Sequence, residues 1–200
     1  MTRRLAVAHP GRVLLVGLMA VGKSTVGRLL AGRLDARYLD NDNLVASAVG
    51  ANMQTLLARD GVAALREAES AALGVALAAV PPVVAGIAAG VVDAVPDRAR
   101  LAAADATVAW LRARPATLAA RVASLDPAPG DGGGDGGGAG TAERPWLRPD
   151  PLAAFTTMQS VRGPFYAEVS DLVCDVDDAD ADRIAERIEC FVRARMATAG

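Results

Sequence analysis

A short glycine-containing motif near the amino terminus carries the residues best suited to chemistry. Residues 17–24 match the pattern G-x-x-x-x-G-K-[ST], and a threonine follows. In this pattern backbone N–H groups surround nucleotide phosphates, the lysine reaches the β and γ phosphates, and the hydroxyl binds Mg²⁺. We therefore predict nucleotide binding by Gly17, Ala20, Val21, Gly22, Lys23, Ser24 and Thr25.

The surroundings of this motif support the prediction. Lys23 is the single lysine in a chain with 20 arginines, which indicates that an ammonium group is needed there. The apolar run Val13–Val16 predicts a buried strand before the loop, and residues 26–34 carry apolar side chains at helical spacing after it. A strand, a loop and a helix in this order are the context in which the motif binds phosphate.

The rest of the composition excludes several other classes of protein. The net charge of −2 excludes a strongly basic nucleic-acid binder. His9 is the only histidine, and Cys174 and Cys190 lie far apart, so a zinc site, a disulfide framework and a Ser-His-Asp triad have no basis. A Ras-type GTPase needs a second lysine in its N-K-x-D motif. The small P-loop kinases remain.

No segment predicts a membrane span or a secretory signal. Residues 70–92 are uncharged, but Pro81-Pro82 interrupts them and much of the stretch is alanine and glycine. We expect a cytoplasmic monomer that binds small molecules and neither nucleic acid nor membranes.

Apolar runs alternate with helical periodicity along the chain. This alternation predicts an α/β domain over residues 1–200, with a parallel sheet covered on both faces. The predicted strands are Val13–Val16, Arg37–Asp40, Val83–Ala85, Thr107–Leu111 and Asp171–Cys174. The predicted helices after the first are Leu44–Arg59, Val62–Ala79, Pro115–Ala123 and Asp180–Met196.

A glycine tract interrupts the alternation. Eight of the eleven residues from Gly130 to Gly140 are glycine, which predicts a mobile loop. Such a loop is either a neutral linker or part of a functional lid, and we assign the lid to about residues 124–150.

Several motifs resemble, in order, those of the shikimate kinase family of P-loop small-molecule kinases. The segment from Gly17 to Ala31 is similar to the family's opening. The later matches are Asp40-Asn41-Asp42 to D-x-D, Gly61 and Leu65–Glu69 to G-E-x-x-F-R-x-x-E, Arg121 after the fourth strand, Arg144–Leu147 to R-P-L-L, and Arg162–Tyr166 to R-x-x-x-Y. The resemblance extends from about Val13 to about Val192.

The resemblance implies a fold and a reaction. The fold is a three-layer P-loop kinase domain with five parallel strands in the order 2-3-1-4-5. The reaction is Mg²⁺-dependent transfer of the γ-phosphoryl group of ATP to a hydroxyl of shikimate, a step in aromatic amino-acid biosynthesis, without a covalent intermediate.

The resemblance also implies roles for individual residues at the nucleotide. Lys23 and Arg144 would stabilise charge on the transferring phosphoryl group, with Arg144 brought in by lid closure. Ser24 and Asp40 would hold Mg²⁺, the latter through water. Arg121 would stack on adenine.

Three residues are implied at the acceptor. Asp42 would accept a hydrogen bond or proton from the attacking hydroxyl. Arg66 and Arg162 would hold the acceptor's carboxylate, which suits a planar guanidinium.

The chain departs from the family's pattern in the acceptor half. Ile87, Ala88 and Ala89 stand where the family has three glycines, and we expect Ile87 to crowd the acceptor pocket. Val62 and Leu65 replace the acid and the phenylalanine of the G-E-x-x-F-R motif. Three hypotheses stay open: a shikimate kinase, a kinase for another small hydroxylated acid or polyol, and a catalytically weak nucleotide-binding paralogue.

Overall fold

Five parallel strands form one sheet in the predicted order. The structure is a computed structural model, and it describes residues 11–124, 147 and 149–198. The strands are β1 (Arg12–Val16), β2 (Arg37–Asp40), β3 (Val83–Gly86), β4 (Thr107–Arg112) and β5 (Leu172–Asp175). Their order is β2-β3-β1-β4-β5 and every neighbouring pair is parallel, so the expected fold class is confirmed.

Helices cover both faces of the sheet. They are α1 (Lys23–Arg33), α2 (Asn41–Val49), α3 (Met53–Ala78), α4 (Val95–Ala102), α5 (Pro115–Ala123), α6 (Pro151–Val169) and α7 (Ala181–Thr198). A short 3₁₀ turn, Val91–Asp93, precedes α4. Helix α1 packs against α7 and β3, whereas α6 packs against α4, α5 and β4. Helices thus form a layer on either side of the sheet.

One of the two helices predicted after β2 is wrong. A helix over Leu44–Arg59 is not formed, because Gly50 adopts a left-handed conformation (φ 70°) and ends α2. Asn52 then caps α3, its side-chain oxygen accepting a hydrogen bond from the Thr55 N–H (2.8 Å). The predicted break between Arg59 and Val62 is confirmed, because Gly61 (φ 83°, ψ −178°) is not helical and kinks α3 there.

The main hydrophobic core lies around the central strand. Residues Val13–Val16 of β1 have no exposed surface, as expected for a strand with neighbours on both sides and helices on both faces. Trp110 of β4 packs on Tyr166 of α6 with ring centroids 5.6 Å apart. A second, smaller core joins α2 to α3 through Val45, Leu56, Leu65 and Ala72. The helices that carry the acceptor motifs therefore have a core of their own beside the sheet.

The loops that follow β1, β2 and β3 meet at one edge of the sheet. Parallel strands place all their carboxyl ends on the same side. The chain leaves β1 toward β2 but leaves β3 toward β4, so its direction reverses between these neighbouring strands. Ligands of open α/β sheets bind in the crevice at such a reversal.

A pair of glycine substitutions in α1 tests the packing beneath this edge. A Cβ at Gly27 would overlap the Tyr38 ring, which is held in place by a hydrogen bond from its hydroxyl to Asp40 and by close contact with Gly86. We expect Gly27→Ala to lower the free energy of unfolding by about 1–3 kcal/mol. Gly32 is exposed in the same helix with open space around it, so Gly32→Ala should raise that free energy by up to about 1 kcal/mol. Urea denaturation measures both, and shifts of equal sign would contradict this packing.

Candidate functional site

The loop after β1 has the backbone conformation of a phosphate cradle. Gly17 has φ 138° and lies so close to the Leu111 carbonyl that a Cβ would overlap its oxygen. Gly22 has φ 102°, and its carbonyl accepts the first hydrogen bond of α1, from the Val26 N–H (2.9 Å). No side chain of the described residues caps this helix end, so its N–H groups and the positive end of its dipole face the loop.

Lys23 closes the cradle. Its Nζ donates hydrogen bonds to the carbonyl oxygens of Gly17 and Leu18, both at 2.9 Å, so the ammonium lies over the loop that precedes it. An ammonium group in this position can bind the anionic oxygens of a phosphate. The neighbouring residues differ in their surroundings: Val21 is buried in the main core, Ala20 is partly exposed and Thr25 is exposed.

Arg121 reaches the same loop from α5. Its Nη1 donates to the carbonyl oxygens of Ala20 (3.4 Å) and Val21 (3.1 Å), and its Nη2 donates to the Val176 carbonyl (3.2 Å). One guanidinium thus ties the phosphate cradle to the segment after β5. The predicted stacking of this residue on adenine stays a prediction.

Asp40 joins the end of β2 to the cradle. One of its carboxylate oxygens, Oδ2, accepts from Ser24 Oγ (2.8 Å) and from the Tyr38 hydroxyl (3.1 Å). The other, Oδ1, accepts from the Asp42 backbone N–H (3.1 Å) and caps α2. Burial, together with the negative charge of Asp40, raises the pKa of Tyr38, which keeps its hydroxyl protonated as a donor.

The oxygen atoms of Ser24 and Asp40 fit a hard divalent cation. Mg²⁺ prefers oxygen ligands, keeps several waters and binds through one or two protein groups plus substrate phosphates. No cluster of three or more His, Cys, Asp or Glu residues that could hold a metal occurs in the described parts of the chain. The hydroxyl–carboxylate pair is therefore the arrangement on this edge that suits Mg²⁺.

The second half of the site is a cavity of about 230 Å³ beside the 3₁₀ turn. It is lined by Arg66, Glu69, Gly90, Val91, Asp93, Ala94 and Asp97. Arg66 pairs with Glu69 one turn further along α3 and approaches Asp93 (Nη2 to Oδ2, 3.5 Å). Arg162 of α6 donates from Nε to Asp93 Oδ1 (2.8 Å) and from Nη2 to Oδ2 (2.6 Å). The structure thus brings Arg66 and Arg162 together.

The charges around this cavity influence one another. Burial raises the pKa of Glu69 and outweighs the lowering effect of Arg66, whose side chain is 38% exposed and thus partly screened by water. The charge of Asp42 also raises this pKa and is the smallest of these contributions. Burial opposes the charge of Arg162, but its hydrogen bonds to Asp93 prevail and raise its pKa. Arg162 is therefore cationic.

The expectation that Ile87 crowds this cavity is wrong. Ile87 is 2% exposed, lies in the main core and is not among the residues that line the cavity, and Ala88 is buried with it. In this segment the backbone of Gly90 lies against the Arg66 guanidinium, which a Cβ at Gly90 would overlap. The third residue of the stretch, Ala89, uses its carbonyl to accept a hydrogen bond from the Tyr166 hydroxyl (2.8 Å).

Sequence reasoning missed the acids that hold the arginines. Glu69 lies in α3, at the end of one of the matched motifs, whereas Asp93 and Asp97 follow β3. The fold brings these segments together, and the sequence signal for Asp93 and Asp97 is that they are acids after a strand of the sheet. Arg144, the glycine tract and almost all of the predicted lid lie outside the described residues.

The family model and the sequence relatives agree on one family. The family model for shikimate kinase matches residues 19–129. Shikimate kinase of Neisseria meningitidis serogroup C is 32% identical over 166 residues, which are 82% of this chain and 87% of the relative. Shikimate kinase of Moorella thermoacetica is 31% identical over 92% of this chain and 96% of the relative. The solved structure of Acinetobacter baumannii shikimate kinase in complex with shikimate superimposes with a TM-score of 0.78 at 22% identity, over 92% of this chain and 94% of that one.

No helix in residues 11–124 or 149–198 combines the length and apolar character needed to cross a membrane.

The left-handed conformation of Ala20 provides a test of the cradle. Ala20 has φ 60°, a region that costs a non-glycine residue roughly 1 kcal/mol. We expect Ala20→Gly to raise the free energy of unfolding by about 0.5–1 kcal/mol, because glycine adopts this conformation without strain. The matched control is Ala120→Gly on the exposed face of α5, which should lower it by about 1 kcal/mol. Equal losses in urea denaturation would show that the loop does not strain Ala20.

Proposed function

This chain belongs to the shikimate kinase family, and we propose that it transfers the γ-phosphoryl group of ATP to a hydroxyl of shikimate. The observation that carries the proposal is the junction at Asp40. Its carboxylate accepts hydrogen bonds from Ser24 Oγ of the phosphate cradle on one side and from the backbone N–H of Asp42 at the start of α2 on the other. This junction supports a nucleotide site and an acceptor site that are joined at one carboxylate.

At the nucleotide side the chain supplies positive charge and backbone donors. The N–H groups of residues 17–24 and of the first turn of α1 surround the β and γ phosphates. Lys23, already bonded to two carbonyls of this loop, exchanges them for phosphate oxygens and stabilises the charge of the transferring group. Ser24 and Asp40 hold Mg²⁺, which neutralises phosphate charge when bound.

At the acceptor side Asp42 and the two arginines orient the substrate. Asp42 is exposed at the start of α2, where its carboxylate accepts the proton or hydrogen bond of the attacking hydroxyl. Arg66 and Arg162 bind the carboxylate of the acceptor, and Glu69 holds Arg66 in place. The transfer then depends on positioning and electrostatic stabilisation, without a covalent intermediate.

Further parts of the proposal rest on the family resemblance alone. Arg144 joins the phosphoryl group when a lid over residues 124–150 closes, and Arg121 stacks on adenine. The protein functions in the cytoplasm as a monomer with a single domain.

Steady-state kinetics with two variants tests the proposal. We expect ADP release from Mg-ATP to depend on shikimate. Asp42→Asn should lower kcat by about 10²–10⁴-fold while ATP still binds, because the acceptor hydroxyl loses its proton acceptor. Lys23→Met should lower turnover by about 10²–10³-fold and weaken ATP binding.

A matched acid at the opposite edge of the sheet provides the control. Asp105 is exposed at the amino end of β4, so Asp105→Asn should leave kcat and KM unchanged. ADP release that does not depend on shikimate but rises with another hydroxy acid or a polyol would identify that compound as the acceptor instead of shikimate. Normal turnover in Asp42→Asn would remove Asp42 from the mechanism.

A further inference from the structure

Asp93 occupies the guanidinium face that an acceptor's carboxylate would need. It binds Arg162 through two parallel hydrogen bonds of 2.8 and 2.6 Å and lies 3.5 Å from Arg66. This bidentate geometry is the one in which arginine binds carboxylates most strongly. The Arg162 side chain is only 12% exposed, so a second carboxylate cannot use the same donors while Asp93 remains.

The charges of the two arginines and of the acids paired with them are already balanced without a ligand. Arg66 and Arg162 supply two positive charges, and Glu69 and Asp93 supply two negative ones. An entering carboxylate would leave this group with a net negative charge at a partly buried site, which is unfavourable. One of the two acids must therefore move away when a carboxylate binds.

Asp93 is the acid that is free to move. Its side chain is 35% exposed, whereas that of Glu69 is 5% exposed within α3. Asp93 ends the 3₁₀ turn, and Arg98 Nη1 donates to the backbone carbonyls of Val92 (2.6 Å) and Asp93 (3.3 Å). The backbone is thus held while the side chain can rotate toward water.

We propose that Asp93 is a tethered carboxylate that competes with the acceptor's carboxylate for Arg162 and so determines the affinity and selectivity of the acceptor site. This inference rests on the proposed function, since it names the group that an anionic acceptor displaces. An acceptor without a carboxylate has no means of displacing Asp93 from Arg162 and leaves the pair intact. Asp93 therefore selects for anionic acceptors and weakens their binding at the same time.

Calorimetric titration of the full chain and its Asp93→Asn variant tests the inference. The two probes are shikimate and cyclohexene-1-carboxylate, which keeps the carboxylate but lacks the hydroxyls. We expect Asp93→Asn to bind both about fivefold more tightly, because a partly exposed ion pair no longer has to be broken first. The shikimate KM should fall by a similar factor with little change in kcat, and Asp93→Ser should give the same gain.

A bidentate arginine–aspartate pair that does not line the cavity is the control. Asp175 at the end of β5 accepts from Arg112 Nε (2.6 Å) and Nη2 (2.9 Å). Asp175→Asn should bind both probes as the wild type does. An equal gain in Asp175→Asn, or no gain for either probe in both Asp93 variants, overturns the inference.

The two probes separate this inference from the proposed function. Shikimate turnover by the wild type with no gain in the Asp93 variants refutes the role of Asp93 alone. A gain for cyclohexene-1-carboxylate in a protein that does not phosphorylate shikimate supports the role of Asp93 and refutes shikimate as acceptor.

Discussion

Three hydrogen bonds to the Asp40 carboxylate connect the parts of this molecule that have to act together. The donors are Ser24 Oγ at the start of α1, the Tyr38 hydroxyl in β2 and the backbone N–H of Asp42 in the first turn of α2. Each donor comes from a different element, so the position of each depends on the same two oxygen atoms. Tyr38 packs tightly against Gly27 and Gly86, so the hydroxyl that it donates to this carboxylate has a fixed position.

The two halves of the site differ in how their charge is arranged. The nucleotide half presents backbone N–H groups and Lys23, whose ammonium donates hydrogen bonds to the carbonyl oxygens of Gly17 and Leu18. In the acceptor half, Arg66 and Arg162 are each paired with a carboxylate of the chain. A carboxylate that binds there would have to exchange one ion pair for another, which would lower its affinity but make the site sensitive to the charge of its ligand. We infer that Asp93 makes this exchange possible.

The sequence predicted the strands, and the strand, loop and helix around Lys23, because both depend on local patterns. The apolar run Val13–Val16 and the motif ending at Lys23 and Ser24 are contiguous, and their geometry follows from a few residues. The acceptor half combines α3, the segment after β3 and α6, so its contacts depend on packing between distant segments. The sequence alone does not show which side chains after β3 face the cavity, and the expectation that Ile87 crowds it depended on that. In the fold the Ile87 side chain is buried in the main core. Asp93 could not be found for the same reason, since its partner Arg162 is 69 residues away.

The most direct test of this account is ³¹P NMR of the products formed from Mg-ATP and shikimate by the wild-type protein. The account predicts that the γ-phosphate resonance of ATP is replaced by one phosphate monoester resonance, coupled to a ring proton of shikimate, in amounts equal to the ADP formed. Conversion of ATP to ADP and inorganic phosphate alone, at the same rate with and without shikimate, would contradict it. In that case the junction at Asp40 would not join a phosphoryl donor to this acceptor.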